Sequence, residues 1–158
     1  MVYWYHSELN GLAGGLNTYA YVGDPLVWVD PLGWISCSTD AAMLRRNMVE
    51  AGMPTPTYKN AAHHIVMSNS SAPRMMELRL KMSEFELDPN EFYNGIFLPT
   101  SSKVKILNET HLPAHSRIHT NKYKQHVYDR LIDKKDADSF IDELFSIAQE
   151  INHGKFPF

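Results

Sequence analysis

One cysteine, Cys37, stands in a chain of 158 residues. A single thiol excludes an internal disulfide and any Cys-rich zinc module. It also excludes the zinc deaminase site, which needs a Pro-Cys-x-x-Cys element. Long apolar runs are missing too: none approaches the roughly 20 residues needed to span a bilayer, so no membrane segment is expected. Met1 to Asn10 has no basic residue ahead of an apolar core, so no signal peptide is expected. A His-Glu-x-x-His element is absent, which argues against a zinc peptidase. There is no basic excess either: 15 Lys and Arg against 18 Asp and Glu leave a formal charge of −3. A passive nucleic-acid binder usually carries a strong positive surplus. A site that holds phosphate through a metal and a local basic patch does not need one. What remains is ordinary for a soluble globular protein, 44% hydrophobic and 21% charged, and long enough for one modest domain plus an arm. The histidines stand out: of eight, five fall in two short clusters, at 63–64 and at 111, 115 and 119.

Residues 1–36 differ in texture from the rest. Gly, Tyr, Trp and Asp-Pro pairs (Asp24-Pro25, Asp30-Pro31) break aromatic and β-branched runs, a pattern of short strands and tight turns with little core of its own. From Ser36 the pattern becomes helical. Ser38, Thr39 and Asp40 are good N-cap residues for a helix over Ala41–Ala51, with Met43, Leu44, Asn47 and Met48 on one side. Pro54 and Pro56 enforce an extended linker. A short strand is expected at His63–Met67. A second helix is expected from Pro73 to about Leu87, with Met75, Leu78 and Met82 on one face. Asp88-Pro89-Asn90 reads as a turn and Gly95–Leu98 as a strand ended by Pro99. After a polar stretch to Pro113, helices are expected from Ser116 to about Ile132 and from Ala137 to about Asn152. The last carries the stripe Phe140, Leu144, Ile147 and Ile151.

The chemistry concentrates in three short pieces. His115 and His119 are four apart, so on a helix they share one face and can chelate one divalent ion. His63 and His64 are adjacent, so on a strand they point to opposite sides. One can join a metal site while the other addresses a different point, and a twisted or bulged strand still lets both border one cleft. Phosphodiester hydrolysis needs those two roles: a metal to neutralise charge and a general base, for which neutral histidine suits pH 7. The base must be held in one orientation, which an amide oxygen can do. Asn94, before a Gly that permits a tight turn, is the candidate. Each piece has an ordinary structural explanation when taken alone; it is the set, in this order, that points to a site. Pro113 separates His111 from the helical pair and places it in a loop. His126 lies two turns beyond His119 and is assigned to the core or surface.

These residues carry a family resemblance. The His-His, Asn, His-x-x-x-His order resembles the His-Me finger nucleases, which include the HNH enzymes. More narrowly, Asn60-Ala61-Ala62-His63-His64-Ile65-Val66, then Asn94-Gly95-Ile96-Phe97-Leu98-Pro99, then His115–Tyr123 resemble the AHH nuclease family of bacterial polymorphic toxins, over roughly residues 38–153. The resemblance implies an α+β fold, mainly helical around a ββα-metal core. It implies His63, His115 and His119 as metal ligands, His64 as general base, and Asn94 as the residue that orients His64. Residues 5–34 resemble the end of the Rhs core: Gly11-Leu12-Ala13-Gly14-Gly15-Leu16-Asn17-Thr18-Tyr19-Ala20-Tyr21-Val22, followed by Asp30-Pro31-Leu32-Gly33, is close to that family's boundary signature. Where an upstream Asp-Pro-x-Gly belongs, Glu8-Leu9-Asn10-Gly11 stands instead. Residues 1–35 are therefore expected to be a short β-rich Rhs-core remnant, and residues 36–158 the nuclease domain.

The expected function is a metal-dependent endonuclease toxin that cuts DNA with little sequence specificity, delivered as a type VI secretion effector into the cytoplasm of a target bacterium. Its expected partners are DNA, a cognate immunity protein and, in a full-length form, the Rhs shell and secretion apparatus. Arg117, Lys122 and Lys124 are the candidates for substrate phosphate, joined by Arg130; Arg117, between two ligands, is the first choice. One divalent ion is expected: three imidazoles suit zinc, nickel or cobalt, whereas turnover in this class can use magnesium or manganese. The alternatives are an RNase of the same fold and a non-catalytic metal-stabilised module, which would need the metal but not His64.

Overall fold

A computed structural model describes residues 38–158. The Rhs-core remnant assigned to residues 1–35, and Cys37, lie outside the described residues. The elements in chain order are α1 (Ser38–Glu50), β1 (Asn60–His64), α2 (Pro73–Glu84), a 3₁₀ turn (Phe92–Asn94), β2 (Gly95–Pro99), α3 (Ser102–Leu107), α4 (His115–Ile118), α5 (Asn121–Leu131) and α6 (Ala137–Asn152). The fold is α+β. Among the described residues no helix is long and apolar enough to cross a membrane.

A lone two-stranded ribbon is marginal in water, so β1 and β2 depend on what covers them. They pair antiparallel, with Ala62 opposite Phe97, His63 opposite Ile96 and His64 opposite Gly95. Strand alternation then sorts the side chains. Ala62 and Phe97 turn to α1, where Leu44 and Met48 close a small apolar cluster over them. Ile96 and Leu98 turn to the main core, built from Met75, Leu78 and Met82 of α2, Val127 and Leu131 of α5, and the stripe of α6. All four residues of that stripe are fully buried, and the helix bearing them spans the residues expected, with Asp136 capping it through Ser139 N at 2.8 Å.

Several boundaries differ from expectation. The strand placed at His63–Met67 is Asn60–His64, because its partner runs out at Gly95. Beyond it, Ile65 N donates to Asn94 O at 2.8 Å and Val66 N to Asn94 Oδ1 at 2.8 Å, so one residue's backbone and side chain replace a partner strand. Helix α2 stops at Glu84 rather than near Leu87. Glu86 takes φ 57°, and Leu87 N reaches back to Met82 O at 2.8 Å, closing the helix without a glycine. The stretch before Pro113 contains α3, which buries none of its residues and so presents no apolar period to read.

The long helix expected from Ser116 is two pieces. His119 (ψ 40°) and Thr120 (φ −83°, ψ 161°) leave helical geometry, and the Thr120 hydroxyl accepts from Tyr123 N at 3.0 Å. A threonine cap competes with continuation of the helix and here starts α5 afresh.

Gly95 does not serve a tight turn. Its backbone is extended (φ −118°, ψ 147°), and what requires glycine is the approach of α1: a Cβ there would lie 2.5 Å from Met48 Sδ and 2.9 Å from Leu44 Cδ1. Gly95→Ala is expected to destabilise the domain by roughly 1–3 kcal/mol, the usual cost of overpacking. Urea denaturation of both proteins checks this, and an unchanged midpoint would show that α1 gives way freely.

Candidate active site

β1 delivers two histidines to opposite faces of its last turn of chain. His63 is 2% exposed and points toward the main core. Its ring centroid lies 5.3 Å from that of His115 and 5.2 Å from that of His119, and the latter two lie 4.9 Å apart. One candidate ligand atom from each of the three lies within 4.8 Å of the others. The helix break between α4 and α5 leaves His115 and His119 still adjacent, because His115 opens α4 and His119 is its C-cap residue, one turn on.

These residues fit a divalent ion. Burial holds the His63 imidazole well below its usual pKa, and the neighbouring His115, His119 and His64 push it further down. Burial is also the main cause lowering His115 and His119, aided by His119 and His64 in the first case and by Lys124 in the second. The rings therefore stay neutral at pH 7 and keep a lone pair each, as a ligand must.

His64 faces the other way, toward α1 and the turn before the 3₁₀ segment. Its Nε2 lies 2.9 Å from Asn90 Oδ1. Burial lowers its pKa, opposed by the Asn90 bond and by the charges of Asp40 and Asp88. His63 and His64 nonetheless border one cleft of about 580 Å³, shared with His115 and His119. The strand ends at the cleft, so residues on both of its faces reach it without a bulge.

The amide in contact with His64 is not the one expected from the sequence. Asn94 is fully buried, and its side chain is spent on the backbone: Oδ1 accepts from Val66 N, and Nδ2 donates to Val66 O at 3.1 Å and to Pro89 O at 2.8 Å. It pins the segment after β1 to the turn that carries Asn90. Asn90, not Asn94, contacts His64. The turn is itself fixed, since Asn90 N donates to Asp88 Oδ1 at 2.8 Å and Asn47 Nδ2 donates to Asn90 O at 3.0 Å. The Asp-Pro-Asn turn is visible in the sequence, but nothing local shows that it meets a histidine 26 residues earlier.

Of the cations expected to meet phosphate, Lys124 lines the cleft, while Arg117 and Lys122 are exposed outside its wall. Arg130 is occupied elsewhere, bound to Glu143, to Glu150 at 2.9 Å and to Ser146 at 3.1 Å. One cation was missed. Arg45 of α1 lines the cleft, donating to Asn60 O at 2.8 Å and Oδ1 at 2.6 Å, with its guanidinium 5.2 Å from the Phe97 ring centre. Nothing in an ordinary amphipathic helix marks that arginine in advance. His111 lies apart from the cluster, bonded to Asn152 O, and His126 packs its ring on Phe156.

A family model described as a nuclease family of the HNH/ENDO VII superfamily with conserved AHH matches residues 44–151. The triplet of that description is Ala62-His63-His64, the end of β1. Neither the curated proteins nor the solved structures contain a significant match to the chain. With the matched span covering both strands and all the histidines of the site, the chain belongs to the AHH nuclease family.

Proposed function

We propose that this nuclease is a divalent-metal-dependent endonuclease that hydrolyses DNA with little sequence specificity and acts as a toxin in interbacterial competition. The observation that carries the reading is the meeting of His63, His115 and His119, with one candidate ligand atom of each within 4.8 Å of the others, beside His64 in the same cleft. His63, His115 and His119 would hold the ion. A divalent ion, when bound, supplies positive charge to the scissile phosphate and its leaving oxygen. Zinc, nickel and cobalt suit the imidazoles by softness, and magnesium or manganese remain candidates for turnover.

His64 has the general base's role. With its Nε2–H donated to Asn90 Oδ1, the Nδ1 lone pair is left to take a proton from water. Asn90 holds the ring in that orientation, and Asn94 holds the turn that holds Asn90. Lys124 and Arg45, from different elements of the wall, are the cations placed to meet backbone phosphates. Arg117 and Lys122 are placed for an outer contact with a long substrate. Recognition through phosphate alone carries no base information, which supports low sequence preference.

The toxin role, delivery with an Rhs shell and type VI apparatus into a target cytoplasm, and a cognate immunity protein rest on the resemblance of residues 5–34 to the Rhs boundary. Incubating the full chain with plasmid, with and without EDTA, tests the enzymatic core. Nicking that needs added metal is expected. Cleavage indifferent to EDTA would sink the metal-dependent reading, metal binding without cleavage would favour the non-catalytic module, and preferential digestion of RNA offered in parallel would favour an RNase.

A further inference from the structure

We propose that Tyr123 is a positioning residue that holds His63 in the tautomer with its proton on Nε2, so that Nδ1 is the atom offered to the metal ion. The inference rests on the reading of His63 as a ligand but adds an atom assignment and a residue to it. Tyr123 is fully buried in the first turn of α5. Its hydroxyl oxygen lies 3.1 Å from His63 Nε2 and 3.1 Å from the backbone oxygen of Ile65. A phenol, with a pKa of about 10, keeps its single proton at neutral pH.

The donors and acceptors then have one consistent arrangement. The Ile65 carbonyl can only accept, so the phenol proton goes to it. The phenol oxygen can then only accept from His63, which requires a hydrogen on Nε2. If Tyr123 donated to Nε2 instead, two oxygens would face each other at 3.1 Å in a dry interior with no hydrogen between them, and a buried acceptor left unpaired is costly. With Nε2 committed, the lone pair of the neutral ring is on Nδ1, on the far side from Tyr123. A hydrogen bond on the non-ligating nitrogen also fixes the ring plane and raises the basicity of the other nitrogen. Position gives this side chain unusual leverage: it joins the residue after His64 to the helix that begins just after His119, tying both halves of the centre through one hydroxyl.

The test uses the full chain labelled with nitrogen-15 in histidine, without metal. Two-bond nitrogen–proton correlations report the tautomer of each ring, and His63→Gln assigns the signal. The expected spectrum of the parent shows His63 protonated on Nε2. In Tyr123→Phe that signal is expected to become a mixture of tautomers, and zinc affinity by calorimetry to fall by about 10- to 100-fold, the range for losing an outer partner of a metal-bound histidine. A purely structural role for the ring would leave the tautomer unchanged. A parent spectrum with the proton on Nδ1, or a folded Tyr123→Phe variant with unchanged zinc affinity, would overturn the proposal. Should Tyr123→Phe fail to fold, the parent spectrum decides alone. A parent chain that shows the Nε2–H form yet binds no zinc, nickel or manganese would remove the metal-centre reading and with it the assignment of Nδ1 as ligand, while the tautomer would stand.

Discussion

His64→Ala is expected to lower the rate of plasmid cleavage by about 100- to 10,000-fold, the usual contribution of a general base, with metal affinity and fold close to the parent's. Two features separate His64 from its neighbour. It faces away from the three-histidine cluster, and its Nε2 is engaged by Asn90 Oδ1. Its loss therefore removes the proton acceptor without removing a ligand. Asn90→Ala should act in the same direction and more weakly, because the ring remains and only its orientation is freed. Asn94→Ala should behave differently. That side chain is fully buried and bonded to Val66 and Pro89, so each backbone group left unpaired costs roughly 1–3 kcal/mol of stability. Nicking rates, metal titrations and denaturant midpoints for the three variants distinguish these cases. A His64→Ala protein that cuts at the parental rate removes His64 from the mechanism. Equal effects of Asn90→Ala and Asn94→Ala on rate with no loss of stability in the latter would return the orienting role to Asn94.

His115→Ala and His119→Ala should each weaken binding of a divalent ion by more than about 100-fold, above the 10- to 100-fold typical of losing an outer partner, and cleavage should fall with it. The two rings contribute two of three nitrogens that lie within 4.8 Å of one another, and two remaining imidazoles hold an ion far less well. His63→Ala should show the same loss of affinity together with lower stability. It is 2% exposed, so its removal leaves a cavity and strips Tyr123 of a hydrogen-bond partner. His111→Ala provides the internal control, since that ring is bonded to Asn152 O outside the cluster. Calorimetric titration of zinc and manganese into all four proteins reads the result. If the affinities of His115→Ala and His119→Ala match the parent's, the ion binds elsewhere and the chelating reading fails.

The parts of this protein legible in the sequence are those decided within a few residues. The stripe of α6 repeats at helical spacing, the alternation at Ala62-His63-His64 sends neighbours to opposite faces, and His115 and His119 fall one turn apart. Each follows from the local geometry of helix or strand, and each stands in the structure. The family resemblance extended the same short pieces to a nuclease, and the matched span supports it.

What only the tertiary structure decided are the contacts across long stretches of chain, where the interaction depends on which elements pack. The amide on His64 comes from Asn90 because Asn94 is consumed by the backbone of Val66 and Pro89, a competition that spacing does not express. Arg45 reaches the cleft because α1 must cross β2 closely, which Gly95 alone permits. Arg130 is engaged because α6 offers it Glu143 and Glu150, whereas Lys124, one helix face away on α5, lines the cleft. Local sequence sets which groups are available on an element's face; packing, by bringing distant partners to the same buried atoms, sets which of them are already engaged and which are left for chemistry.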